Sequence, residues 1–170
     1  MGLYEDLRAM IGEEAGPFDS NDEINKAMIR HWCEAMEDGN PLYTDEEYAK
    51  TTEFGEIIAP PQMAQAYCVP PLWPIEDLPP HPMAKAVGLA REAGYFGIVA
   101  TSTSQEYFGP MRLGDKLNYK IKLKEVSPEK TTRMGTGFFI TNEYSYFNQK
   151  GELVCRQPFV IFQFKPASKS

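Results

Sequence analysis

Six prolines crowd into the thirteen residues from Pro70 to Pro82 (Pro70, Pro71, Pro74, Pro79, Pro80 and Pro82). Each proline fixes φ and withdraws a backbone donor, so neither a regular helix nor a central strand can cross this stretch. The chain therefore has to be read as two parts on either side of an irregular excursion. Before it, apolar residues recur at helical spacing; after Tyr95 they alternate with period two.

In the first part, Ser20-Asn21-Asp22-Glu23 has the Ser-x-x-Glu pattern of a capping box and predicts a helix start. Ile24, Met28, Trp32 and Ala35 then follow at three- and four-residue steps, with Glu23, Lys26, Arg30, Glu34 and Glu37 on the opposite side, which predicts one buried and one wet face. Asp38-Gly39-Asn40-Pro41 predicts the stop and a short polar loop, with Gly39 as the left-handed cap. Thr44-Asp45-Glu46-Glu47 repeats the capping pattern and predicts a second helix through about Thr52. Residues 56–68 read as a turn followed by a short apolar helix, with Pro61 acceptable in its first turn. A brief helix is expected around Ala84 to Arg91.

In the second part, Leu117, Tyr119, Ile121 and Leu123 alternate with Asn118, Lys120, Lys122 and Lys124, the signature of a half-buried strand. The lysine face reads as solvated, although it could also meet phosphates. Further strands are expected over 96–108, 132–147 and 152–164, separated by Gly109-Pro110, Gly114-Asp115, Ser127-Pro128 and Asn148-Gln149-Lys150-Gly151. Short connections of this kind predict an antiparallel meander, and helices followed by strands predict an α+β fold. One domain over 1–170 is expected, with residues 166–170 as a frayed tail.

Composition narrows the function classes. With 17 basic and 24 acidic side chains, a formal charge of −7 and a pI near 4.9, the chain is a poor candidate for binding nucleic acid, which depends on neutralising phosphates with Lys and Arg. Only two histidines (His31, His81) and three widely spaced cysteines (Cys33, Cys68, Cys155) occur, so neither a metal site nor a disulfide framework has its usual spacing. His31 reads as a structural histidine at the flank of the helix stripe, His81 as an exposed loop residue, and the cysteines as buried small hydrophobes. The first residues lack a basic-then-apolar leader, and no apolar stretch approaches the roughly 20 residues of a spanning helix. A soluble cytoplasmic protein is expected, with a small-molecule or protein partner.

Three motifs carry a family resemblance over nearly the whole chain: Glu37-Asp38-Gly39-Asn40-Pro41-Leu42-Tyr43, Ile58-Ala59-Pro60-Pro61, and Phe108-Gly109-Pro110-Met111-Arg112-Leu113-Gly114-Asp115. They resemble the MaoC-like (R)-specific enoyl-CoA hydratases of the hot-dog fold, in which a long antiparallel sheet surrounds a central helix. The resemblance implies that a CoA thioester is the substrate, that no cofactor or metal is used, and that the protein is a homo- or hetero-oligomer joined edge to edge. Water addition to a trans-2-enoyl thioester needs a base, an acid and donors for the enolate oxygen. In the family an Asp and a His share the water, and a backbone N–H at the start of the central helix holds the thioester oxygen. By position, Asp38 matches the Asp and Asn40 its structural neighbour, but Tyr43 stands in place of the His and Pro61 in place of the oxyanion Gly.

Losing both functions at once resembles the non-catalytic halves of this superfamily, the large MaoC-like subunits of heteromeric hydratases and the N-terminal fatty-acid-synthase-like dehydratase domain. Asp38 is then vestigial, and a small hot-dog subunit with an intact Asp/His motif supplies the chemistry. The run Ile24-Asn25-Lys26 to Trp32-Cys33-Glu34-Ala35, with Asn40 to Tyr43 and Ala59 to Pro61, is most similar to the version acting on steroid side-chain CoA thioesters. A central helix cut short at Pro70 vacates volume for a bulky acyl group, with Pro60, Pro61, Met63, Tyr67, Leu72 and Trp73 as candidate substrate-binding residues. The same side chains could equally just repack the shortened helix. Two further functions stay open: a self-sufficient hot-dog hydratase or thioesterase using Asp38, and a non-catalytic acyl-CoA binding module.

Overall fold

The computed structural model describes residues 2–70, 73 and 80–167. In chain order the elements are α1 (Leu3–Ala9), β1 (Glu14–Glu23), α2 (Lys26–Met36), α3 (Pro41–Thr44), α4 (Glu46–Lys50) and β2 (Ile58–Ala59). A tight helical turn (Pro61–Met63) then runs into α5 (Ala64–Cys68), followed by α6 (Pro82–Glu92), β3 (Gly97–Thr103), β4 (Glu106–Tyr107), β5 (Met111–Arg112), β6 (Lys116–Val126), β7 (Lys130–Thr132), β8 (Gly135–Phe147) and β9 (Leu153–Pro166). One seven-stranded antiparallel sheet has the order β1-β6-β8-β9-β3, with β4 added to β9 and β7 to β8, while β2 and β5 form a separate ladder.

The predicted alternation in β6 is borne out: Leu117, Ile121 and Leu123 are buried, and the intervening lysines lie toward solvent. Opposite them on β8, Phe138, Ile140, Asn142 and Tyr146 face inward. Two apolar clusters sit on this inner face. At one end α2, the Pro61 turn and α5 bury Ile29, Cys33, Met63, Ala64 and Tyr67 against Leu117, Tyr146 and Cys155. At the other, α1 and α6 bury Leu7, Ala86 and Ala90 against Leu123, Phe138, Ile140 and Ile161. Each fully buried aliphatic side chain contributes about 1.5–3 kcal/mol of transfer free energy; α1 buries one of them, Leu7, and packs Leu3 and Tyr4 beside it. The short α5 against a long antiparallel sheet is the hot-dog architecture that the sequence resemblance implies.

Several local expectations are corrected. Ser20 to Glu23 belong to β1, where the Ser20 hydroxyl donates to the Asp22 carbonyl at 2.9 Å; the cap of α2 is Asn25, whose side chain accepts from Met28 N–H at 2.9 Å. The buried stripe of α2 is rotated toward Ile29 and Cys33, leaving Met28 and Trp32 half-buried and Ala35 exposed. Glu37, not Gly39, adopts the left-handed conformation (φ 53°) that ends α2. Asp45, not Thr44, caps the next helix by accepting from Glu47 and Tyr48 N–H, and Pro41–Thr44 forms a helical turn inside the expected loop. The meander holds for β6, β8 and β9, but β3 crosses to the far edge and pairs with β9. Pro166 ends β9 and Ala167 N–H donates to Met134 O at 3.0 Å, so the tail expected to fray from residue 166 is held at its first two positions. Residues 168–170 lie outside the described set.

Candidate functional site

Two places on the molecule bear on function. The first is the turn after α2. Glu37 turns the chain back and Asp38 N–H donates to Cys33 O at 2.9 Å, closing the helix end. Asp38 Oδ1 accepts from Asn40 N–H (3.0 Å), and Asn40 Oδ1 accepts from Leu42 N–H (3.1 Å) as the cap of α3. Asn40 is thus committed to shaping the loop. Pro41 at the first helical position completes the turn, which places Leu42 and Tyr43 against the cluster that holds Cys33, Ala59 and Met63.

The three sequence motifs converge here. Ile58 pairs with Arg112 and Ala59 with Met111 in the β2–β5 ladder. Arg112 braces the ladder by pairing with Glu56 (2.6 Å) and donating to Phe54 O (3.0 Å). Asp115 is buried and accepts from Arg112 N–H (2.7 Å) and the Gln149 amide (2.9 Å), so the Gly-Asp of that motif closes a turn. Pro60 is buried and Pro61 half-buried, with Met63 N–H donating to Pro60 O at 2.9 Å. Pro61 has no N–H to offer an oxyanion.

Burial pushes the Tyr43 phenol above its ordinary pKa and the Asp38 carboxylate pushes it further, so at neutral pH the group facing Asp38 is a neutral donor and not a base. Burial, and then Asp38, likewise raise Cys33. His31 stands in solvent beside Glu34 (3.5 Å), on the wet side of α2 and not packed at its flank as the sequence suggested. The turn brings together Asp38, Asn40 and Tyr43 without assembling an acid–base pair.

The second place is a cleft of about 130 Å³ between the end of α5 and the start of α6, floored by β6 and β8. Gln65, Cys68, His81, Tyr119, Tyr144 and Tyr146 line it. The three tyrosines form an aromatic ladder, with ring centroids 6.1–6.2 Å apart. Burial raises all three phenols, Tyr144 to about 12, and Cys68 is likewise pushed up to about 12, so these four groups line the cleft as neutral donors. His81 caps α6 by accepting from Ala84 N–H on Nδ1 (3.3 Å), and burial lowers its pKa; the neutral ring then carries its proton on Nε2. This corrects the exposed-loop expectation for His81.

Gln157, buried on β9, fixes one wall. Its amide donates to Gln65 and to Thr103 Oγ1 (both 3.0 Å), and its oxygen accepts from the Tyr146 hydroxyl (3.0 Å) and from Gln105 (3.3 Å). Of the expected wall residues, Met63 and Tyr67 are buried in the core beside α5, Trp73 is 84% exposed, and Leu72 lies outside the described residues. Sequence reasoning missed Tyr119, Tyr144, Tyr146, Gln65 and Gln157. They are ordinary inward positions of four elements, α5, β6, β8 and β9, and only strand register and the docking of α5 bring them together.

Residues 9–157 match the family model described as the FAS1-like dehydratase domain region. The chain is 36% identical over 163 residues to a probable enoyl-CoA hydratase alpha subunit of Thermomonospora curvata, covering 94% of this chain and 51% of the relative. It is 33% identical over 151 residues to the 3-oxo-4,17-pregnadiene-20-carboxyl-CoA hydratase alpha subunit of Mycobacterium tuberculosis, covering 87% of this chain and 47% of that protein. The chain thus spans about half the length of these curated relatives. A chain in the crystal structure of the ChsH1–ChsH2 complex from Mycobacterium tuberculosis superposes with a TM-score of 0.87 at 30% identity, covering 98% of this chain and 92% of that one.

Proposed function

We propose a function from one premise: this chain belongs to the FAS1-like dehydratase family. It is the site-shaping half of a heteromeric enoyl-CoA hydratase, and it houses a bulky acyl group without performing the proton transfers. The observation that carries this reading is Tyr43 itself, a phenol packed against the core near Asp38, in the position where catalysis needs a base. Pro61, which cannot donate to a thioester oxygen, supports it further.

A small hot-dog subunit with an intact Asp/His motif supplies acid, base and oxyanion donor. Strand β3, at the sheet edge among the described residues, with Ile98 in it 42% and Phe96 just before it 66% exposed, is the surface at which it joins. The cleft past α5, at about 130 Å³, takes part of the acyl group, a polycyclic unit such as the steroid-derived acyl group in the name of the Mycobacterium tuberculosis relative. Its aromatic floor and neutral phenols suit an uncharged, bulky ligand.

Copurification with candidate small hot-dog subunits, followed by hydration assays on the complex and on each part, tests the reading. Turnover by the complex and none by this chain alone is expected. Hydration by the isolated chain that Asp38→Asn abolishes would replace it with the self-sufficient enzyme.

A further inference from the structure

Strand register continues the cleft floor past the point where the cleft ends. Tyr119 lies opposite Tyr146, Ile121 opposite Tyr144, and Leu123 opposite Asn142. The first two rows line the cleft; the third is the next row, about 7 Å further along the strands. Asn142 is completely buried, and among the described residues neither its Nδ2 nor its Oδ1 has a hydrogen-bond partner.

That is costly, because a buried amide without partners forfeits its hydration and gains nothing in return. Other inward-facing amides are used. Gln157 makes four bonds, and Gln163 donates to Val87 O (2.9 Å) and Tyr95 O (3.0 Å), leaving only its oxygen unpaired. Around Asn142 the surroundings are apolar: Leu123 on one side, Phe159 on the other, Ile140 two residues back.

Met83, in the first turn of α6, reaches from the cleft floor to the cluster that surrounds Asn142: its sulfur accepts from the Tyr144 hydroxyl at 3.2 Å, and its side chain packs on the cluster that contains Leu123 and Ile140. Methionine is unbranched and repacks readily, so this side chain can move without disturbing helix or sheet. The Tyr144–Met83 contact is a weak hydrogen bond, easily exchanged for a better one.

We propose that Asn142 is a specificity-determining residue, which recognises a hydrogen-bonding group, a ketone or hydroxyl, at the end of the bulky acyl unit remote from its thioester. The inference rests on the reading that the cleft takes the acyl group. The reacting end stays with the partner subunit's acid and base, outside the cleft, and the cleft opens past the end of α5, so a rigid ligand filling it directs its far end along β6 and β8 toward the third row. Moving Met83 aside then gives Asn142 the partner it lacks.

Androstanone and its parent hydrocarbon androstane, added to the full chain, test this by tyrosine and tryptophan fluorescence and by melting temperature. Androstanone should bind at least about tenfold tighter, since a site built around a hydrogen bond rejects the analogue that lacks the group. Asn142→Leu should bring that ratio to about one while raising the melting temperature of the free protein, because the lost amide had no partner to leave behind. Asn142→Ala should erase the ratio in the same way. A preference for the ketone that survives both substitutions overturns the proposal. So does a lower melting temperature in Asn142→Leu, which would mark the amide as bonded to a structural water only. Val69→Trp at the cleft rim separates the two readings. If both probes bind equally and Val69→Trp weakens both, Asn142 has no role and the cleft reading stands; if neither probe binds, both readings fall.

Discussion

The turn after α2 and the cleft past α5 lie on the same sheet and teach opposite lessons. Around the turn the sequence is rich in motif and the backbone tightly shaped, with Asp38, Asn40 and Asp115 each committed to holding a bend. Yet the side chain that stands nearest the chemistry there, Tyr43, is a phenol whose pKa burial raises above its ordinary value. The cleft has no motif, but it gathers neutral donors, an aromatic floor and a buried amide network. On the reading proposed above, the recognisable loop marks ancestry and the capacity to select a ligand lies in the cleft.

The comparison breaks most visibly in a hydration assay on the assembled complex. Replacing the partner subunit's general acid or base should cost roughly 100- to 10,000-fold in rate, whereas Asp38→Asn here should cost less than about threefold. A loss of the larger size from Asp38→Asn returns chemistry to the turn.

On the cleft side, Gln157→Leu strands Gln65, Thr103 and the Tyr146 hydroxyl together, and chemical denaturation should show a loss of about 2–3 kcal/mol. Denaturation indistinguishable from the parent protein would mean that the network is not what holds the wall. Val69→Trp, at the rim, should raise KM about tenfold for a polycyclic enoyl thioester and leave crotonyl-CoA unaffected. Equal effects on both substrates would show that the acyl group does not pass this rim.

The smallest effect belongs to Tyr43→Phe, with the complex expected to hydrate at neutral pH within about twofold of the parent rate, since a protonated phenol supplies no base. Its signature is in alkali. Folding raises the Tyr43 pKa, so the stability gained from its neutral form is fully present below the unfolded value near 10 and is lost as pH rises through the folded value. Tyr43→Phe should therefore flatten the alkaline limb of the melting-temperature profile and leave its neutral plateau in place.

Much of the fold was legible where one physical rule dominates. The lysine-alternating strand β6 declared itself because one face is buried and the other wet, and the shortness of α5 followed from the prolines after it. β1 was hidden: Gly16-Pro17 and the acidic residues Asp19, Asp22 and Glu23 interrupt any alternation, and its pairing with β6 is irregular at two places, as an edge strand tolerates. Its Ser20-x-x-Glu23 imitated a helix cap because that pattern costs nothing in an edge strand. At the site, Asp38, Asn40 and Tyr43 were legible as a linear motif. Tyr119, Tyr144 and Tyr146 were not, because they converge through register, which no single stretch of sequence encodes. His81, flanked by prolines, looked like loop because the helix it caps begins at the very proline that follows it.

The two apolar clusters that share the inner face abut at Tyr144, whose ring meets Phe159 edge-on and whose hydroxyl donates to Met83. Distant sites without common partners combine additively to within about 0.3–0.5 kcal/mol, so changes around α2 and α5 should superimpose on changes around α1 and α6 with little epistasis. Such a chain is a mosaic with a seam. One end can drift or be grafted from a relative to suit a different subunit while the other is retuned for a different ligand, and neither change has to wait for the other.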